Sequence, residues 1–116
     1  MMENLNEFKC MPVRHGDAGL TEADVNQYLI QIPEWSIIER EGIKRLERQF
    51  KFKNFGEALA FTNRVGALAE EQDHHPSIKT EWGKVTVNWW THVIKGLHLN
   101  DFIMAARTDE IMNSTQ

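Results

Sequence analysis

Two pairs of short segments in which apolar and polar residues alternate most constrain the fold of this chain. The first pair turns at Glu41-Gly42, and its second strand is predicted over residues 43–52. The second pair turns at Gly83-Lys84, between alternating residues at 78–82 and 85–89. Strict alternation is the pattern of a half-buried strand, and a short turn that contains glycine joins two such strands in antiparallel order. The chain is therefore predicted to contain two β-hairpins.

Three helical segments alternate with these hairpins. Thr21 can cap a first helix, which is predicted to end before Pro33. Asn54 can cap a second helix, and Pro76 prevents that helix from continuing far. A third helix is predicted to begin between residues 98 and 101. The order α-β-β-α-β-β-α predicts an α+β fold, in which three helices pack on one face of a four-stranded antiparallel sheet.

The length of 116 residues predicts one domain. Residues 1–19 show no sustained periodicity, and we interpret them as an N-terminal arm that is ordered only if it packs on something. Residues 20–112 then form the single domain, and residues 113–116 a frayed tail. Arg48 interrupts the apolar face of the second strand, and we interpret it as a charge on a sheet edge that discourages aggregation.

The composition argues against several classes of partner. The net charge of −4 gives no reason to expect direct nucleic-acid binding, which usually needs a basic patch. No apolar run approaches the roughly 20 residues of a membrane span, and the N-terminus lacks the features of a signal peptide. Cys10 is the only cysteine, which excludes an intrachain disulfide. We therefore expect a cytoplasmic protein with no membrane partner.

Three of the five histidines lie between residues 74 and 92, and they are the strongest candidates for chemistry. His74 and His75 stand where the second helix ends, and His92 follows the last strand. If the second hairpin pairs around its predicted turn, residue 92 lies roughly opposite residue 75. All three imidazoles would then meet at one end of the sheet. Histidine can give or take a proton near neutral pH, so this cluster indicates acid–base chemistry, metal binding or both.

Two other interpretations of the histidines stay open on the residues alone. Three histidines could ligate zinc, but an adjacent pair lacks the i, i+4 spacing of a helical zinc motif, so we expect no metal site. In a purely structural interpretation, His75 ends a helix and His92 is an ordinary strand residue. The convergence of three imidazoles, with Glu70 and Asp101 nearby in the sequence, favours a functional site.

The ordered set of motifs from Thr21 to Ala106 resembles one known family, the pterin-4a-carbinolamine dehydratases. The residues that carry the resemblance are Glu70-x-x-Asp73-His74-His75-Pro76, Val85-x-Val87, Thr91-His92, Gly96-Leu97 and Asp101. The resemblance implies the α+β fold and assembly into homodimers or homotetramers. It also implies that water is removed from 4a-hydroxytetrahydrobiopterin to give the quinonoid dihydropterin. That reaction recycles the cofactor of an aromatic amino-acid hydroxylase and needs no metal or organic cofactor.

The resemblance also implies roles for individual residues. His74 and His92 would be the catalytic acid–base pair, and His75 would mainly hold the pterin. Glu70 and Asp101 would orient imidazoles or bind the pterin ring. Asp73 and Pro76 complete the substrate-binding set.

The chain departs from the family pattern at His98, where a Ser or Thr often caps the last helix. A lost cap would cost about 1 kcal/mol of helix stability, unless Asn100 caps instead. The alternative functions are a non-catalytic dimerisation module of the transcriptional coactivator type and a pterin role linked to molybdopterin.

Overall fold

The computed structural model describes residues 4–114 and confirms the predicted order of elements. Three helices and four strands form an α+β fold, with two additional short 3-10 turns at Leu5–Glu7 and His92–Ile94. The helices and strands are α1 Glu22–Leu29, β1 Ser36–Arg40, β2 Ile43–Lys51, α2 Phe55–Gln72, β3 Ser77–Glu81, β4 Lys84–Trp89 and α3 Leu99–Ser114.

The four strands form one antiparallel sheet in the order β1-β2-β4-β3, so the second strand of each hairpin lies in the centre. Leu46 of β2 pairs with Trp89 of β4, which joins the two hairpins. The inward-facing residues of these central strands form the sheet side of the core. They are Leu46, Phe50, Val85, Val87 and Trp89.

The helix side of the core comes from α2 and α3, which both pack on the sheet and on each other. Phe61 and Val65 of α2 and Phe102 and Ile103 of α3 are buried to within 1% exposure. The first helix, α1, buries no residue completely, and Tyr28 packs its ring 5.7 Å from that of Phe102. No helix among residues 4–114 combines the length and apolar character that crossing a membrane requires.

The predicted turn of the second hairpin is wrong by one residue. Glu81 pairs with Lys84, so the turn consists of Trp82 and Gly83, not Gly83 and Lys84. Gly83 has a φ of +125°, and a β-carbon there would lie 3.0 Å from the carbonyl oxygen of Phe52. Only glycine accommodates both the positive φ and the nearby carbonyl oxygen, and Gly83 is therefore the second residue of the turn. Continuing the Ser77–Asn88 pairing by two residues puts residue 75 opposite residue 90, not residue 92.

The interpretation of Arg48 as an edge charge is also wrong, because β2 is a central strand. Arg48 Nη1 lies 2.6 Å from Asp109 Oδ1 on α3, and Trp35 Nε1 donates to the same oxygen at 2.8 Å. Burial raises the pKa of Asp109, and the hydrogen bonds from Trp35 and Arg48 oppose that rise. Arg48 therefore connects the middle of the sheet to the last helix.

The N-terminal arm packs on the domain. The sequence predicted that the arm would be ordered only under this condition. Leu5 is 1% exposed and belongs to the core, and its amide donates to Gln31 Oε1 at 2.8 Å. At the other end of the chain, α3 includes residues 113 and 114, which the sequence assigned to a frayed tail. Residues 115 and 116 of that tail, and residues 1–3 of the arm, lie outside the described part of the chain.

Candidate functional site

His74 is positioned by the end of α2. Asp73 adopts the left-handed conformation, with φ 52° and ψ 42°, and this reverses the chain after the last helical turn. The amide of His74 then donates back to the carbonyl oxygen of Ala69 at 3.1 Å. This is a common way to end a helix. The backbone of His74 is therefore positioned by this helix end, independently of the contacts of its side chain.

The side chain of His74 binds a buried carboxylate. His74 Nε2 lies 2.6 Å from Asp101 Oδ1, and the Asp101 side chain is 0% exposed. The imidazole also stacks on the indole of Trp89, with an interplanar angle of 8° and 5.8 Å between centroids. A carboxylate accepts a hydrogen bond from Nε2–H, which leaves Nδ1 as the ring nitrogen of His74 that this contact does not use.

Asp101 is itself held by two further donors. Thr91 Oγ1 donates to Asp101 Oδ2 at 2.8 Å, and the amide of His98 donates to the same oxygen at 2.9 Å. Thr91 follows β4, and His98 immediately precedes α3. A carboxylate that accepts three hydrogen bonds has its charge compensated without solvent. Asp101 therefore connects His74 to the sheet and to the start of the last helix.

His98 caps α3, which corrects the expectation that its side chain costs a cap. His98 Nδ1 accepts from the amide of Asn100 at 3.0 Å, while Asp101 accepts from the amide of His98. The two residues thus form a reciprocal capping box with histidine in place of serine or threonine. Burial lowers the pKa of His98 from its ordinary value of 6.5, and the charge of Asp101 opposes this shift.

His75 and His92 lie nearer to the surface than His74. His75 Nε2 lies 2.5 Å from Glu70 Oε2, and both side chains are more than half exposed. His92 is exposed at the start of the short turn after β4, and its ring centroid lies 4.7 Å from that of Trp90. The bridge between Thr91 and Gly96 closes this turn, so a tight loop positions His92 where strand pairing was expected to do so.

All three histidines line one open cavity of about 340 Å³, together with Asp73. Glu70 and Asp101 are not among the lining residues but bind His75 and His74 respectively. Pro76 is likewise absent from the lining and connects His75 to β3. Among residues 4–114, no group of three or more His, Cys, Asp or Glu side chains is arranged to hold a metal ion.

Sequence reasoning missed several residues of this cavity. Met11, Pro12 and Val13 of the arm line it, as do Val93 and Asn100. The arm carries no periodic pattern, so its contacts could not be read from the sequence.

A further residue that sequence reasoning missed is Arg45, whose guanidinium lies 4.0 Å from the centre of the Trp90 ring. This contact fixes the orientation of one aromatic wall of the cavity. A correct register of β2 against β4 would have suggested it, because the pairing of Leu46 with Trp89 puts residue 45 opposite residue 90.

The sequence of this chain matches a family of known proteins. The family model for pterin 4 alpha carbinolamine dehydratase matches residues 18–111. A protein of Microcystis aeruginosa, provisionally named a pterin-4-alpha-carbinolamine dehydratase, is 53% identical over 110 residues, which are 95% of each chain. A protein of Syntrophotalea carbinolica with the same provisional name is 54% identical over 96% of this chain and 99% of its own. The chain belongs to the pterin 4 alpha carbinolamine dehydratase family.

Two solved structures are similar to this one. A transcriptional coactivator/pterin dehydratase from Brucella melitensis superposes with a TM-score of 0.72 at 32% identity, over 81% of this chain and 98% of its own. A pterin dehydratase-like protein identified as a RuBisCO assembly factor in the alpha-carboxysome has a TM-score of 0.58 at 24% identity, over 67% of this chain and 88% of its own. The second likeness concerns the fold alone.

Proposed function

We propose that this protein is a 4a-hydroxytetrahydrobiopterin dehydratase, a hydro-lyase that removes water from the pterin-4a-carbinolamine. The observation that carries the proposal is the pairing of His74 with the buried Asp101 beside a cavity that His75 and His92 also line. A volume of about 340 Å³ is within the range of small-molecule sites and admits a bicyclic heterocycle.

The reaction is a balanced pair of proton transfers. The bond between C4a and its hydroxyl oxygen breaks, and the oxygen takes the bonding electrons and a proton to leave as water. N5 loses its proton, and the electrons of that N–H bond form the new C4a=N5 double bond. No net oxidation or reduction occurs, so an acid and a base suffice, and each is typically worth about 10²–10⁴ in rate.

The geometry suits His74 and His92 for these two roles. The Asp101 carboxylate accepts a hydrogen bond from His74 Nε2 and fixes the ring, so that Nδ1 would be the transferring atom. His92 is exposed beside Trp90 and can exchange its proton with solvent between turnovers. His75, paired with Glu70 at the rim, would hold the pterin ring through hydrogen bonds.

The proposal extends to the setting of the enzyme. It includes a homodimer or homotetramer in the cytoplasm and a functional link to an aromatic amino-acid hydroxylase that produces the carbinolamine. Family membership supports this setting, and the presence of a single cysteine is in keeping with a reducing compartment.

Replacement of the two proposed acid–base residues tests the activity. We expect His74→Ala and His92→Ala each to lower kcat for dehydration of a 4a-hydroxytetrahydropterin at least tenfold, measured by stopped-flow absorbance. His15→Ala is the matched control, because His15 is exposed and does not line the cavity. Wild-type rates in both folded variants would refute the catalytic assignment.

A second candidate is a non-catalytic binding module, which the name of the Brucella melitensis relative favours. Growth of a dehydratase-deficient strain separates the two functions. Rescue by the wild-type chain but not by His74→Ala would exclude a role in binding alone. Failure of the wild-type chain to rescue growth would favour the binding module.

A further inference from the structure

The arm segment Met11–Val13 lies against the cavity that holds the three histidines, although it precedes the part of the chain that the family model matches. That match begins at residue 18. Five apolar residues line the cavity, and three of them come from the arm. The five are Met11, Pro12, Val13, Trp90 and Val93.

Asn100 fixes the arm segment in this place. Its Oδ1 accepts from the amide of Met11 at 3.0 Å, and its Nδ2 donates to the carbonyl oxygen of Met11 at 2.7 Å. Asn100 is 2% exposed, and it lies one residue before Asp101 in the first turn of α3. The same short stretch of helix therefore holds both the arm and His74. The amide of Cys10 adds a bond to Gln72 Oε1 of α2 at 3.0 Å.

The rest of the arm is anchored on both sides of this segment. Leu5 is buried in the core, and the amide of Leu20 donates to the carbonyl oxygen of Leu97. The pair of hydrogen bonds between Met11 and Asn100 lies between these two contacts. The arm segment is therefore fixed in place as part of the cavity wall.

The side chain of Met11 is exposed although it is large and apolar. It is 50% exposed, whereas Trp90, which lines the same cavity, is 8% exposed. A thioether is flexible and polarisable and packs well against the edges and faces of aromatic rings. A flat heterocycle in the cavity would cover this side chain, together with Val13.

We propose that Met11 and Val13 form an apolar binding wall for the pterin and that Asn100 is the positioning residue that holds this wall. The inference rests on the proposed function in that it takes a reduced pterin as the ligand. The arm contributes uniform binding, to the ground state and the transition state alike, because its apolar groups exchange no proton. It therefore lowers KM and the dissociation constant and has little effect on kcat.

The double variant Met11→Ala/Val13→Ala tests the wall directly. We expect the KM for a 4a-hydroxytetrahydropterin, and the Kd for 7,8-dihydropterin measured by calorimetry, to rise about tenfold. We expect kcat to change less than about threefold. Lys9→Ala is the control, since Lys9 is exposed on the same arm but does not line the cavity. If KM and Kd of the double variant stay within twofold of wild type, the wall is refuted.

The variant Asn100→Ala tests the positioning role. We expect the amide of Met11 to exchange with solvent at least tenfold faster, because it loses its acceptor, while the amide of Leu5 keeps its exchange rate. KM should rise as in the double variant. Faster exchange at Met11 with an unchanged KM would overturn the positioning role.

The binding measurement separates this inference from the proposed function. If the wild-type chain binds 7,8-dihydropterin with a Kd that depends on Met11 and Val13 but does not catalyse dehydration, the proposed activity is wrong and the binding wall stands. If the wild-type chain neither binds the pterin nor catalyses the reaction, both are wrong.

Discussion

Asp101 is the residue on which most of the site depends. One carboxylate, which is 0% exposed, accepts from His74, from Thr91 and from the backbone of His98. The same side chain therefore caps a helix and orients a histidine. Because both roles use one buried group, the position of His74 is determined by the packing of α3 as well as by the end of α2.

Replacing Asp101 by asparagine tests this double role. An amide has one acceptor oxygen and no charge, so it cannot accept all three hydrogen bonds that Asp101 accepts. We expect Asp101→Asn to lower kcat for carbinolamine dehydration at least tenfold. Stopped-flow kinetics at pH 7 on protein with a verified folded circular dichroism spectrum would measure the loss.

Thr91→Val is the matched comparison for Asp101→Asn. It removes one donor to Asp101 and leaves the contact with His74 in place. Its cost should be about 1 kcal/mol of stability with a much smaller loss of kcat. Equal losses of kcat in the two variants would contradict the assignment of the His74 contact as the important one.

The sequence could predict that the histidines gather, but not how they do so. Adjacent histidines before a proline, and a third after the last strand, point to one end of any sheet built from two hairpins. The pairing that was expected to bring His92 opposite residue 75 is wrong, since a one-residue change in the turn moves the register by two residues. The loop closed by Thr91 and Gly96 positions His92, and such a loop depends on tertiary contacts that alternation does not encode.

At the scale of elements, the cap at the start of α3 depends on pH. His98 can cap the helix only while Nδ1 is unprotonated, because a protonated ring has no acceptor for the amide of Asn100. Burial lowers the pKa of His98 from 6.5, so the native state binds fewer protons than the unfolded state in the interval below 6.5. The free energy of unfolding must therefore fall as the pH is lowered through that interval.

The variant His98→Asn isolates this effect. Asparagine caps helices well and does not titrate, so it preserves the acceptor at every pH. We expect the wild type and the variant to have similar stability at pH 7.5, and the wild type to lose up to about 1 kcal/mol relative to the variant by pH 5. Urea unfolding at several pH values measures the difference, in which the titration of all other groups cancels. Parallel curves would show that the imidazole cap contributes nothing.

The elements themselves could be read from the sequence better than their partners could. Capping residues and prolines mark where α1 and α2 begin and end, because these signals act within a few residues. The strand order β1-β2-β4-β3 is a long-range property, and the misinterpretation of Arg48 follows from it. A charge in an apolar strand is typical of an edge, but here a carboxylate from α3 reaches the central strand and neutralises it.

At the scale of the whole molecule, Asp109 connects three distant parts of the chain. Asp109 lies on α3. It accepts hydrogen bonds from Trp35, in the loop before β1, and from Arg48, in the centre of the sheet. The side chains of Arg48 and Asp109 are 21% and 19% exposed, so water can replace a lost partner only in part. Removing the carboxylate would leave an indole N–H and a guanidinium poorly satisfied at the same place.

We therefore expect Asp109→Ala to lower the free energy of global unfolding by about 2–3 kcal/mol, measured by urea denaturation at pH 7. Asp109→Asn should cost less, because its amide oxygen still accepts from Trp35 while only the ion pair with Arg48 is lost. Glu39→Ala, an exposed carboxylate on β1, should stay within about 0.5 kcal/mol of wild type. Equal and small losses in both Asp109 variants would mean that the contact is formed without stabilising the fold. The predicted ranking, in contrast, would show that one side chain joins the sheet to the helix that carries Asp101.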